Sequence, residues 1–156
     1  MTNPKILNQA RFIQKCIILN EEGQILTLKR SLVKKSRTSN WDLPGGGYEE
    51  GEDLHNSVLR EVQEEVGLTI NSIQPIYLTN QVNIKTGLFT GETVFVACHL
   101  SKDWSGKVVL SDEHVEYRWV DPKELLDYDF GDDHEFFVNS IYAYLNVTSQ
   151  IAHHNS

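Results

Sequence analysis

Positive charge is scarce in this chain: 14 Lys and Arg stand against 22 Asp and Glu in 156 residues, a formal charge of −8. A general affinity for nucleic-acid duplexes or anionic membranes is thereby disfavoured. An anionic ligand would need a local offset, from a bound cation or a basic pocket. Cysteine is scarce too. Cys16 and Cys98 stand alone, too few for a disulfide framework or an all-Cys zinc site. Each lies in an apolar strand-like run, as buried free thiols in a reducing compartment do. No apolar run reaches the length of a signal core or a membrane span. Low-complexity segments and solenoid repeats are absent. With 40% apolar residues, the expectation is one soluble, cytoplasmic globular domain.

Elements follow from local patterning. Phe12 to Leu19 and Ile25 to Leu28 read as strands joined through Glu21-Glu22-Gly23, a hairpin. Residues 29 to 40 form a basic connection carrying Lys29, Arg30, Lys34, Lys35 and Arg37. In Trp41-Asp42-Leu43-Pro44-Gly45-Gly46-Gly47, proline and three glycines disfavour regular structure and allow close backbone approach. A helix over about Asp53 to Val66 follows, capped by Asp53 and stopped by Gly67. Ile70 to Tyr77, Thr93 to Leu100 and Val115 to Val120 are strand-like. Pro122 opens a short helix. Asp132 or Asp133 starts a last helix through about Leu145, with Phe137, Ile141 and Leu145 every fourth residue. Residues 147–156 read as a frayed tail, and His153-His154 as an ordinary terminus. The sum is an α+β fold, a mixed sheet with helices on both faces.

The informative segment is Gly46 to Leu68. At about 100° per residue, Leu54, Val58, Val62 and Val66 step round one face of the helix, with Leu59 beside them. His55 falls inside that arc and reads as half-buried packing. Glu61, Glu64 and Glu65 share one side, and Glu65 falls at the edge of the apolar stripe. A merely solvated acidic face would centre opposite the stripe, where Asn56 and Arg60 lie. Glu64 is close enough to that side to be ordinary; Glu61 and Glu65 are not. Acids spaced i,i+3 and i,i+4 repel, and the helix C-terminus disfavours them further. A divalent cation bound by carboxylate oxygens removes both conflicts.

Gly46, Glu52, Arg60, Glu61, Val62, Glu64, Glu65, Gly67 and Leu68 together resemble the Nudix box of MutT-like pyrophosphohydrolases, matching every position. Segments on either side, Leu26 to Arg30 with Trp41 to Gly46 and Asp112 to Val120, look like parts of the same domain. One Nudix domain over about residues 12–145 would then account for nearly all of the 156-residue chain. The resemblance implies an α/β/α sandwich with a mixed central sheet and a loop-helix-loop catalytic motif. It also implies hydrolysis of a nucleoside diphosphate linked to another group, with Mg²⁺ or Mn²⁺. Carried over position by position, Glu61, Glu64 and Glu65 hold metal, with the Gly45 carbonyl as a further ligand. Glu61 is also the candidate general base, and Arg60 and Glu52 orient the carboxylates.

Outside the box, Glu113 is the choice for an additional metal ligand or base, against the alternative of a solvated loop acid. Glu116 and His114 are weaker candidates. Lys29, Arg30 and Arg37 are candidates for meeting substrate phosphate, or else surface charge. Trp41 is read as forming part of the pocket or of the core. Tyr77, Phe95, Tyr117 and Trp119 are assigned to the core. For the substrate, the subgroup marks of ADP-ribose, NADH and dinucleoside polyphosphate hydrolases are not found after the box. Asn83-Ile84-Lys85-Thr86, for example, carries neither the Pro nor the Tyr. The first choice is a nucleoside triphosphate, with ADP-ribose and dinucleoside polyphosphates left open. A non-catalytic ligand-binding Nudix module and an acidic protein-interaction domain are the rival readings. The expected partner is thus a small nucleotide, with neither nucleic-acid duplex nor membrane, and a homodimer is left open.

Overall fold

The computed structural model describes residues 10–32, 40–81 and 90–154, with side chains to residue 149. Arg37 and the Asn83–Thr86 segment lie outside these residues. The strands are β1 (Ala10–Ile18), β2 (Ile25–Arg30), β3 (Trp41–Asp42), β4 (Gly45–Gly47), β5 (Thr69–Ile70), β6 (Gln74–Gln81), β7 (Thr93–Ser101), β8 (Trp104–Ser105) and β9 (His114–Val120). The helices are α1 (Leu54–Val66), α2 (Pro122–Leu125) and α3 (His134–His154), with a 3-10 turn at Gly131–Asp133. A mixed sheet runs β4-β1-β7-β6, parallel only between β1 and β7. Strands β3-β2-β9 form an antiparallel sheet, and β5 pairs with β8.

Alternation along β1 builds two cores. Cys16 and Ile18 face α1, in a cluster with Leu26, Leu28, Val58, Val62, Val66 and Leu68. Ile17, one residue out of phase, joins Leu43, Cys98, Phe130, Phe137 and Ile141 beneath α3. A period of two puts successive side chains on opposite faces, so one strand serves both layers. Each buried aliphatic contributes about 1.5–3 kcal/mol. The expected α+β sandwich is what forms.

Several expected details are corrected. β1 and β2 do not pair as a hairpin. The bridge between the segments, Leu19–Ile25, lies just past β1, and the two strands belong to different sheets. Gly45–Gly47 is a strand rather than an irregular loop, in register with Ile13 to Lys15. The strand expected from Ile70 divides into β5 and a β6 that begins at Gln74. His55 is exposed, not half-buried. Tyr117 is exposed as well, because β9 turns that side outward. The last helix continues to His154 instead of fraying from residue 147, since no Gly or Pro interrupts residues 132–154. The caps of α1 hold: the Asp53 side chain accepts from the Asn56 N–H at 2.8 Å. Gly67 is left-handed, at φ 70°.

Candidate active site

A cavity of about 800 Å³ opens between the first half of β1, the end of β2, β4, α1 and the loop entering β9. Of the residues singled out in the sequence, it gathers Gly45, Gly46, Glu61, Glu65, Arg30, Glu113 and the weaker candidate His114. Glu64, Glu52, Arg60, Lys29 and Trp41 do not line it. Glu64 is exposed, as its position on the wheel suggested.

The glycine strand is what lets α1 approach. Gly45 has φ +141°, and a Cβ there would meet the Gln14 carbonyl oxygen at 2.0 Å. A Cβ on Gly46 would meet the Glu61 carboxylate at 2.6 Å, so that carboxylate rests directly against bare backbone. The Gly45 N–H donates to Glu65 Oε2 at 3.0 Å. On the other side of β1, Gln14 Nε2 donates to the Leu54 carbonyl at 3.3 Å and to Ser57, while Oε1 meets His99 Nε2 at 2.6 Å. This buried network fixes the first turn of α1 against the sheet.

Arg60 gathers the outer acids. Its guanidinium donates to Glu52 through two nitrogens, to Glu61 Oε1 at 3.1 Å, to Glu64 Oε2 at 3.0 Å and to the Gly47 carbonyl at 3.0 Å. Glu52 is held below the usual carboxylate range, chiefly by its hydrogen bond to Arg60. Glu61 is raised, because burial outweighs the pull of Arg60. Glu65, 8% exposed, is pushed to about 8 by burial, with Asp42 and Glu61 adding to the rise and Lys15 opposing it.

Two neighbouring acids that resist ionisation, beside a backbone carbonyl, form an all-oxygen donor set that suits a hard divalent cation. Among the described residues no group of three His, Cys, Asp or Glu stands in ready ligating geometry. Arg60 holds two of the three acids expected to bind metal, Glu61 and Glu64.

The cavity also gathers Asp42, Lys15, Phe12 and Tyr48, none of them singled out in the sequence, along with His114, a weaker candidate there. Asp42 is fully buried and paired with both Lys15 and Arg30. Burial alone would raise it, but Lys15, His114 and Arg30 together hold it well below the usual range. His114 lies 4.0 Å from Asp42 through Nε2, and neither ring nitrogen is hydrogen-bonded. At the rim, Phe12 is 48% exposed and stacks on Phe95 with centroids 4.9 Å apart, and Tyr48 stands edge-on to it. A lysine inside an Ile-rich strand and an exposed strand aromatic were the available signals. Trp41 packs against Tyr128 at 5.0 Å, with Arg118 over its ring at 4.7 Å. Lys29 lies 3.9 Å from Glu116.

Comparison with known proteins agrees with this arrangement. The family model described as NUDIX domain matches residues 13–139. Nucleoside triphosphatase NudI of Salmonella agona is 28% identical over 125 residues, covering 74% of this chain and 86% of that protein. Among solved structures, a MutT protein from Methanosarcina mazei Go1 superposes with a TM-score of 0.70 at 29% identity, over 85% of this chain and 93% of that one. The NUDIX domain of Shewanella oneidensis NrtR, solved with ADP ribose, is similar in fold alone, with a TM-score of 0.65 at 17% identity, over 92% and 93%.

Proposed function

Because the chain belongs to the NUDIX family and is a Nudix hydrolase, we propose that it is a nucleotide pyrophosphohydrolase working with Mg²⁺ or Mn²⁺ on a nucleoside triphosphate. The observation that carries this reading is the convergence of Glu61 and Glu65 on one cavity behind the Gly45–Gly46 strand. Glu61, Glu65 and the Gly45 carbonyl would hold the cation, with Glu64 and Glu113 as outer ligands. A bound divalent cation supplies charge neutralisation on the phosphoanhydride oxygens.

The chain's own groups do the rest. Glu61 accepts the proton of the attacking water as the oxygen bonds to phosphorus and the anhydride P–O bond breaks. Its burial, which strengthens it as a base, supports that role. Glu113 lines the same cavity and is the alternative acceptor. Arg60 and Glu52 keep the carboxylates oriented, a positioning role. Arg30, which lines the cavity while paired with Asp42, meets substrate phosphate. Phe12, with Tyr48 set edge-on to it, offers the base an exposed aromatic contact at the rim. Lys29 and Trp41 lie outside the cavity and gain no support as substrate contacts.

The triphosphate preference is supported by the likeness to NudI, which is described as a nucleoside triphosphatase. The two free, buried thiols suit a cytoplasmic setting; no helix among the described residues is long and apolar enough to cross a membrane. A panel of nucleoside triphosphates, ADP-ribose and dinucleoside polyphosphates tests the proposal, each incubated with Mg²⁺ and its products weighed by mass spectrometry. Release of monophosphate and pyrophosphate, abolished by EDTA, is the expected result. Undiminished hydrolysis in excess EDTA, or binding without turnover on every substrate, refutes it.

A further inference from the structure

Lys15 is out of character for its strand. It follows buried Ile13 and Gln14, precedes fully buried Cys16 and Ile17, and is itself 4% exposed, yet it lines the cavity. Lysine is almost never buried without partners. All of its hydrogen-bond partners here are oxygens. Nζ lies 2.9 Å from Asp42 Oδ1, and it donates to Asp42 Oδ2 at 3.0 Å, the Leu43 carbonyl at 3.2 Å and the Gly45 carbonyl at 3.4 Å. An ammonium has three donors and no acceptor, and this cage engages them all. One carboxylate and two backbone carbonyls are also what a hard metal cation takes.

We propose that the Lys15 ammonium is a resident cation of the site, filling the oxygen cage of Asp42 and Leu43, sharing the Gly45 carbonyl through one of its two lone pairs, and confining divalent ions to the side of that oxygen that faces Glu61 and Glu65. The proposal rests on the reading of Glu61 and Glu65 as metal ligands and adds where metal is not admitted. Charge supports it. Asp42 already faces two cations, Lys15 and Arg30, which leaves no net negative charge for a divalent ion. Glu61 and Glu65 set two carboxylates against the field of the same Lys15, and Arg60 is hydrogen-bonded to Glu61 alone of the two.

Mn²⁺ binding followed by electron paramagnetic resonance tests this on wild type, Lys15→Arg, Lys15→Ala and Lys15→Glu. The Ala and Glu variants should each acquire a Mn²⁺ site that wild type and the Arg variant lack. The site in Lys15→Glu should be at least about tenfold tighter than that in Lys15→Ala, because a second carboxylate replaces the lost cation. Adding Asp42→Asn to Lys15→Glu should abolish the gain. Wild-type stoichiometry in folded Lys15→Ala and Lys15→Glu overturns the proposal, and so does a tighter isotherm without a new site. Should either variant be folded but too weakly stable for isotherms, its melting temperature titrated with Mn²⁺ decides. A rise well beyond that of wild type supports the cage, and an equal rise overturns it. Wild type that binds no Mn²⁺ overturns the metal reading of Glu61 and Glu65, and the confinement with it. Unchanged binding in the variants sinks Lys15 alone.

Discussion

In metal-free protein, Glu65 should make stability fall as pH rises from about 4.5 to about 8. Burial first, then Asp42 and Glu61, lift its carboxyl to about 8 in the folded chain, whereas unfolded it titrates near the ordinary 4.5. Between those values the folded state holds a proton that the unfolded state has released, so the unfolding free energy declines with pH. The contribution is fully present below the unfolded value and gone above the folded one. At about 1.4 kcal/mol per pH unit this span is on the order of 5 kcal/mol. Water entering from the cavity and local relaxation reduce it to about 2–4 kcal/mol.

Glu65→Gln keeps the volume and an acceptor for the Gly45 N–H but cannot ionise. Urea unfolding in EDTA at about pH 5 and about pH 9 should show wild type losing about 2–4 kcal/mol more than the variant between the two. Glu61 is raised as well, so the difference between proteins, not the wild-type slope, isolates Glu65. Saturating Mn²⁺ should shrink that difference, because a ligand that binds the ionised native site stabilises it. Equal losses in the two proteins would show that Glu65 does not carry this pH dependence.

Three further outcomes can be checked on the same protein. Gly46→Ala places a Cβ 2.6 Å from the Glu61 carboxylate; turnover should drop at least about 100-fold, with near-native circular dichroism. Arg60→Met frees Glu61 and Glu64 from their shared partner. Metal affinity measured by calorimetry should weaken about 10–100-fold if Arg60 is a positioning residue, and stay unchanged if it is only surface charge. Phe12→Ala should raise KM for a nucleoside triphosphate about 5- to 150-fold with little change in kcat, as loss of a stacking surface worth about 1–3 kcal/mol requires; equal KM values would remove Phe12 from the rim's function.

The parts of the site that could be read in the sequence are those set by local geometry. Helix α1 is bounded by a capping Asp53 and a left-handed Gly67, both short-range devices. Its 3.6-residue period separates exposed Glu64 from half-buried Glu61 and buried Glu65. What escaped depends on chain segments far apart. Gly45–Gly47 becomes a strand only because Ile13 to Lys15 lies alongside it, and glycine carries no strand propensity of its own. Strand β1 pairs with β7, some 80 residues on, in preference to its neighbour β2, a choice that hairpin spacing cannot reveal. Lys15 and Asp42 stand 27 residues apart with nothing local to link them; burial makes them partners. Arg30 and Lys29 are adjacent in sequence, yet alternation sends one to the cavity and the other to Glu116.

The most direct test of the central claim is single-turnover hydrolysis of a nucleoside triphosphate by Glu61→Gln and Glu65→Gln at saturating Mg²⁺, alongside their melting temperatures. Each variant should fold and turn over at least about 1,000-fold more slowly than wild type, because a neutral amide supplies neither the negative charge nor the proton acceptor. Near-wild-type turnover in both folded variants would contradict the account.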